Sequence, residues 1–133
     1  MRRTYLDSSV LIEAARAREP QAEVALRILD DKERVFLSCP FLDLELLPQA
    51  IRNNSRKEQE FLQTYLSGTE RTEDWEAIFR VAVREASRSP VSGIDALHVA
   101  AAHLLEADEF ITLERPGKAI YKNRLVPVVY LRS

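Results

Sequence analysis

Cysteine, glycine and long apolar runs are scarce in this sequence, and each scarcity excludes a class of protein. Cys39 is the only cysteine among 133 residues, so an internal disulfide and a zinc site built from several thiolates are both excluded. Three glycines are too few for a flexible interdomain linker, and none belongs to a phosphate-binding loop. No apolar stretch approaches the ~18 residues that a membrane-spanning helix needs, so we expect no membrane association.

The chain also lacks an excess of charge of either sign. Its 19 basic and 21 acidic residues give a net charge of −2, which argues against a surface coated for nonspecific nucleic-acid binding. Charged residues follow Arg2 and Arg3 too soon for a secretory signal, and a lone reduced cysteine suits a cytoplasmic protein.

Basic residues are nevertheless concentrated near the end of the chain. Four of them follow Glu114 closely, namely Arg115, Lys118, Lys122 and Arg124. They can contact phosphates by charge, or they can belong to a solvated loop, and the sequence leaves both readings open.

The sequence contains enough apolar material for one compact domain, and we treat residues 1–133 as a single domain. Hydrophobic residues make up 46% of the chain, and no internal repeat is present. Short β-favouring runs predict strands at 3–6, 34–38, 109–113 and 126–131, separated by stretches with helical periodicity. This alternation predicts an α/β fold with a mainly parallel central sheet and helices on both faces.

The predicted helices have recognisable ends. Ser55 and Glu58 form a capping box before one helix. Pro40 suits a first helical turn, whereas Pro48 lacks an amide donor and predicts a kink or a restart. The predicted helices cover 8–17, a segment opened by Pro20, a segment from Pro40, a segment after Ser55, an amphipathic segment along Trp75, Ile78, Phe79, Ala82, Val83 and Ala86, and 92–107.

Carboxylates occur where the predicted strands end. Asp7 follows the first strand directly and Glu114 follows the strand at 109–113, so both fall at the rim where parallel sheets collect ligands. Three of the candidate acids also have a purely structural interpretation. Asp7 can cap the next helix, Glu45 can lie on a solvated helix face, and Asp95 can complete a capping box.

Taken together, the acids indicate a metal site. Carboxylates that crowd together repel one another and need a compensating cation to stay ionised. Their oxygens are hard ligands that suit Mg²⁺ or Mn²⁺, and such an ion activates water and stabilises charge on a phosphodiester. His98 and His103 are five residues apart, a poor chelating spacing, so we expect His98 to pack beside the sheet with a satisfied hydrogen bond.

Four short sequence motifs resemble those of the PIN-domain family of metal-dependent ribonucleases, and within it the VapC-like toxins of type II toxin–antitoxin pairs. The motifs are "YLDSSVLIEA", "LDLELL", "GIDALHVAAA" and "EFITLERP", in the family's order and spread over nearly the whole chain. The resemblance implies a three-layer α/β/α sandwich, an acidic pocket for Mg²⁺ or Mn²⁺, and hydrolysis of RNA by water activated at the metal. It also implies a protein antitoxin as partner, and it leaves a homodimer open.

The resemblance assigns roles to individual acids. It implies that Asp7 and Asp95 bind the metal directly and that Glu45 binds it or holds its water. Because Pro48 can shift the helix that carries Glu45, Asp43 stays a substitute candidate. The family's last motif usually reads T-x-D, whereas this chain reads "TLE" there. Glu114 is therefore a fourth candidate ligand that is one methylene longer, and a second metal site is expected to be weak or absent.

Two hydroxyl residues match the family's pattern beside those acids. Ser9 follows the first acid and Thr112 precedes the last, and the resemblance implies that both donate hydrogen bonds next to the metal.

Two other functions stay open. One is a PIN-like module with weak or lost chemistry that binds RNA or a protein partner. The other is an aspartate-dependent phosphatase or phosphoacceptor, but Ser9 stands where the phosphatase pattern requires a second aspartate.

Overall fold

A five-stranded parallel sheet forms the centre of the protein, for which the computed structural model describes residues 1–132. The strands are β1 (Arg2–Leu6), β2 (Arg34–Ser38), β3 (Glu70–Arg71), β4 (Glu109–Thr112) and β5 (Val128–Tyr130). Their order across the sheet is β3-β2-β1-β4-β5, and every neighbouring pair is parallel. The predicted α/β class with a parallel sheet is confirmed.

Six α-helices and one short 3-10 helix connect the strands in this part of the chain. The α-helices are α1 (Ser8–Arg16), α2 (Gln21–Leu29), α3 (Pro40–Arg52), α4 (Arg56–Ser67), α5 (Trp75–Arg88) and α6 (Gly93–Leu104). The 3-10 helix covers Ala119–Lys122.

The helices form two layers around the sheet. Helices α1, α2 and α4 pack together in one layer, and α5 packs against α6 in the other. Helix α3 contacts α1 and α4, while its Phe41 meets Trp75 of α5 edge to face with ring centroids 5.1 Å apart. The architecture is the three-layer α/β/α sandwich that the family resemblance implies.

The central strands β1 and β4 are buried on both faces, as expected for a covered parallel sheet. Tyr5 and Phe110 are fully buried, and their rings stack with centroids 5.2 Å apart. The two strands pair in the register Tyr5↔Phe110 and Leu6↔Ile111. With this register, β1 and β4 end side by side. Among residues 1–132 no helix has both the length and the apolar character needed to cross a membrane.

Several local predictions are wrong or incomplete. The predicted restart at Pro48 is wrong, because α3 continues through it; the buried Leu42, Leu46 and Ala50 anchor one face of that helix and offset the lost backbone hydrogen bond. The strand predicted at 109–113 ends at Thr112, and the one predicted at 126–131 is only Val128–Tyr130. Strand β3 is two residues long, too short for a periodicity to reveal it.

The amphipathic stripe predicted for α5 is only partly buried. Ile78 is fully buried and Ala82 nearly so, whereas the side chains of Trp75, Phe79 and Val83 are 46–65% exposed. The helix therefore packs through a narrower face than its sequence predicts, and an apolar strip is left at the surface.

Candidate metal centre

Asp7 lies at the carboxyl end of β1, where the strand turns into α1. Its Oδ1 accepts a 2.8 Å hydrogen bond from the backbone amide of Ser8, so the carboxylate caps α1 as its structural reading predicted. Its Oδ2 accepts hydrogen bonds from the hydroxyls of Thr112 (2.7 Å) and Ser9 (3.1 Å). Capping thus occupies one oxygen, while two hydroxyls orient the other.

The same hydroxyls connect Asp7 to the end of β4. The Oγ of Ser9 accepts from the backbone amide of Leu113 at 3.3 Å, and the Oγ1 of Thr112 accepts from the amide of Glu114 at 3.0 Å. Each hydroxyl therefore donates to the carboxylate and accepts from the neighbouring strand. This network holds the backbone of Glu114 beside Asp7, although the Glu114 side chain is exposed.

Asp95 lies in the first turn of α6 and faces the same acidic region. Its backbone amide donates to the Oγ of Ser92 at 3.2 Å, so the predicted cap is present. Burial raises the pKa of Asp95, and the negative charges of Asp7 and Glu114 raise it further. The three carboxylates therefore interact by charge.

Glu45 is half-buried on α3 and contacts His98 of α6. Oε1 of Glu45 lies 2.7 Å from Nε2 of His98, which makes an ion pair when the imidazole is protonated. The contact lacks hydrogen-bond geometry, and neither atom has a hydrogen-bond partner among residues 1–132. Although burial alone would raise the pKa of Glu45, the close contact with His98 and the charge of that imidazole lower it. Burial alone would likewise lower the pKa of His98, but its interactions with Cys39 and Glu45 raise it to about 10.

The prediction for His98 is confirmed, but it omitted one of the two contacts that the imidazole makes. His98 is 2% exposed and its Nδ1 is 2.7 Å from the hydroxyl of Tyr5, so it is packed and partnered as predicted. Sequence reasoning missed that the other ring nitrogen reaches Glu45. One signal was available, because Asp95 and His98 are three residues apart and so share a helix face.

Asp43, the substitute considered for Glu45, points elsewhere. Its two carboxylate oxygens accept hydrogen bonds of 3.1 and 3.0 Å from the Nη2 of Arg71. The positive charge of Arg71 neutralises Asp43. Arg71 belongs to β3, so this ion pair lies at the edge of the sheet. Of the two acids in "LDLELL", Glu45 is the one close to α6.

The chemistry of these side chains fits a hard divalent ion. Within residues 1–132, no three Asp, Glu, His or Cys side chains converge tightly enough to form a finished metal cage. Mg²⁺ does not need such a cage, because it retains several waters and is commonly held by one or two carboxylates. Burial, and then the charges of Asp7 and Glu114, raise the pKa of Asp95, and a bound cation would offset these effects.

A basic surface segment adjoins the acids. Arg115, Lys118, Lys122 and Arg124 are exposed, and none forms a salt bridge within the described residues. The hydroxyl of Tyr121 donates a 2.6 Å hydrogen bond to the carbonyl of Glu114, which holds the segment beside the site.

Three solved structures share this architecture. A toxin–antitoxin complex from Klebsiella pneumoniae superposes with a TM-score of 0.70 at 16% identity, covering 97% of this chain and 98% of that one. VapBC2 from Rickettsia felis bound to a promoter DNA fragment gives 0.71 at 14% identity, covering 96% and 98%. FitAcB from Neisseria gonorrhoeae gives 0.61 at 16% identity, covering 94% and 95%. At such identities the likeness establishes the fold alone.

The sequence itself provides the family. No curated protein matches the chain. The family model for the PIN domain, however, matches residues 4–116, which includes all four candidate acids and both hydroxyl residues. This chain therefore belongs to the PIN domain family.

Proposed function

We propose that this protein is a Mg²⁺- or Mn²⁺-dependent endoribonuclease, the toxin of a toxin–antitoxin pair. The observation that carries the proposal is the acidic region at the carboxyl ends of β1 and β4. There, Ser9 and Thr112 fix the orientation of Asp7 by hydrogen bonds to Oδ2. Burial, together with the charges of Asp7 and Glu114, raises the pKa of Asp95. Membership of the PIN domain family supports nuclease chemistry at this place.

In this proposal the chain's own side chains hold the ion and the RNA. Asp7 and Asp95 bind the ion directly, and Glu45 binds it or one of its waters. The ion supplies a Lewis acid that activates water and neutralises charge on the phosphodiester. Arg115, Lys118, Lys122 and Arg124 hold the RNA backbone by charge, with no base specificity of their own.

Purified protein incubated with RNA and Mn²⁺ tests the activity. We expect cleavage that chelation by EDTA abolishes and that Asp7→Asn and Asp95→Asn each reduce at least 100-fold. The matched control is Asp30→Asn, which removes one exposed carboxylate at the end of α2 and should cleave like the parent. Equal cleavage by all variants would identify a contaminating nuclease, and cleavage of single-stranded DNA instead of RNA would correct the substrate.

A module without catalysis is the alternative, and Glu114 is the observation that favours it. The longer side chain is exposed at a position where the family usually has aspartate. If the protein binds RNA but shows neither Mn²⁺ binding nor cleavage, the alternative is correct. Tight Mn²⁺ binding that Asp7→Asn abolishes would exclude it.

An apolar groove supports a peptide-like antitoxin as partner. The groove has a volume of about 520 Å³ and lies between the end of α2, β2 and α4. Leu29, Phe36 and Phe61 line it, and the Tyr65 hydroxyl is buried there without a hydrogen-bond partner among residues 1–132. An apolar segment that also carries one polar group matches this lining, because an unpaired buried hydroxyl costs free energy that such a group recovers.

The exposed strip on α5 supports a homodimer. Trp75, Phe79 and Val83 repeat at a spacing of four residues, so the strip is symmetric about Phe79, and Ile94 of α6 extends it. Two antiparallel copies would place Trp75 of one against Val83 of the other, a large side chain facing a small one. The face also borders a groove of about 470 Å³ between α5 and α6, which an apolar side chain of the second copy can enter.

A further inference from the structure

A buried chain of polar side chains runs from the acidic region into the core. Oε1 of Glu45 lies 2.7 Å from Nε2 of His98, Nδ1 of His98 lies 2.7 Å from the Tyr5 hydroxyl, and that hydroxyl lies 3.2 Å from Sγ of Cys39. Tyr5 and Cys39 are fully buried and His98 is 2% exposed. The four residues come from α3, α6, β1 and the end of β2, which local sequence does not bring together.

Burial fixes the imidazole more firmly than it fixes the glutamate. The ring of His98 packs against those of Tyr5 and Phe41, with centroids 5.8 and 6.4 Å away. Glu45, by contrast, has a side chain that is 33% exposed and three rotatable bonds with which to move. The contact with the packed His98 ring therefore restricts the rotamers that the Glu45 side chain can adopt.

We propose that His98, held by Tyr5, is the positioning residue for Glu45 in the metal site. This inference rests on the proposed function for its consequence, but its geometry stands on its own. The imidazole of His98 holds Oε1 by a 2.7 Å ion-pair contact, so Oε2 is the oxygen left to bind the ion or one of its waters. Groups that orient a metal-binding side chain in this way typically change metal affinity 10- to 100-fold when they are removed.

The test compares single and double variants by calorimetric titration with Mn²⁺. We expect His98→Leu and Glu45→Gln each to weaken Mn²⁺ binding by about 10- to 100-fold. The double variant should bind no more weakly than the worse single variant, because both changes remove the same contribution. His98→Gln, whose side-chain amide can still donate to Glu45, should retain most of the affinity.

Two further variants keep the test decisive. His103→Leu makes the same substitution at an exposed position of the same helix and should bind Mn²⁺ like the parent. If His98→Leu does not fold, Tyr5→Phe removes the hydroxyl that anchors Nδ1 while it keeps the ring stacked on Phe110, and we expect a smaller loss in the same direction. Parent-like binding by His98→Leu, or losses that add in the double variant, would overturn the proposal.

A crystal structure separates this inference from the proposed function. We expect Glu45 in a single rotamer in the parent and in several rotamers in His98→Leu. If the parent neither binds Mn²⁺ nor cleaves RNA and Glu45 still loses its order in the variant, positioning stands and the nuclease proposal fails. If Glu45 keeps its rotamer without the imidazole, His98 does not position it.

Discussion

The hydroxyl of Thr112 donates a 2.7 Å hydrogen bond to Oδ2 of Asp7, although 105 positions separate the two residues along the chain. The bond forms because β1 and β4 are neighbours in the sheet and end at the same rim. It joins the two strand ends into one site, since Thr112 also accepts from the amide of Glu114.

Removing that hydroxyl should weaken the site without unfolding the protein. Thr112→Val keeps the shape of the buried side chain but leaves Oδ2 of Asp7 with only Ser9 as a side-chain donor. We expect Mn²⁺ affinity, measured by calorimetry, to fall about 10-fold or more. Thr64→Val, an exposed position on α4, is the control and should bind like the parent; an equal loss in both variants would contradict the role of Thr112.

Asp95→Asn should stabilise the metal-free protein while it removes metal binding. Burial and the charges of Asp7 and Glu114 raise the folded-state pKa of Asp95, so its ionised form opposes folding at pH values above its unfolded pKa. We expect the melting temperature in EDTA at pH 7 to rise by about 3 °C, which corresponds to less than ~1 kcal/mol. The difference should shrink as the pH falls below about 4, where the parent's carboxyl is also neutral.

Added Mn²⁺ should reverse that order of stability. The ion binds the folded parent and raises its melting temperature, whereas Asp95→Asn should gain little. A melting temperature of Asp95→Asn that is below that of the parent in EDTA would show that Asp95 is not under charge repulsion.

Glu85 provides a pH-dependent contribution away from the site. Burial alone would raise its pKa, but hydrogen bonds from the backbone amide of Arg124 (2.6 Å) and from Nε of Arg88 (2.8 Å) lower it. A lowered folded-state pKa adds stability above the unfolded pKa of about 4.3, and this contribution is lost as the pH falls through the folded pKa.

Urea denaturation of Glu85→Gln measures that contribution. We expect a loss of about 2 kcal/mol at pH 7, because the variant keeps one acceptor but loses the charge. The loss should become small below about pH 4. Glu76→Gln, whose side chain is 89% exposed on the same helix, should change stability little at either pH; a loss at Glu85 that does not depend on pH would contradict the ionic explanation.

Phe79→Glu should dissociate the proposed homodimer. The substitution places a charge at the centre of the apolar strip on α5, where an antiparallel partner would bury it. Light scattering after size-exclusion chromatography should give twice the chain mass for the parent and the single mass for the variant. Ile51→Glu, an exposed apolar position on α3, should remain dimeric; a monomeric parent across the concentration range would refute this assignment of the face.

Local signals were sufficient to place most of the candidate site on the right elements. Asp7 was correctly placed after β1 and Asp95 in the first turn of α6, because strand ends and helix starts have sequence signals within a few residues. Ser55 and Ser92 indeed accept the cap hydrogen bonds that their spacing predicts. The restart predicted at Pro48 is absent, because packing of the buried face of α3 outweighs the single lost hydrogen bond.

By itself, the sequence determined the alternation of strands and helices, and with it the rim on which Asp7 and Glu114 fall, because periodicity and caps act over short stretches of chain. Only the tertiary structure decided that Glu45 meets His98 while Asp43 meets Arg71. Those two acids are separated by one residue and are chemically alike, so the choice depends on how α3 packs against α6 and β3. Packing of that kind depends on many distant side chains at once, and no short motif encodes it.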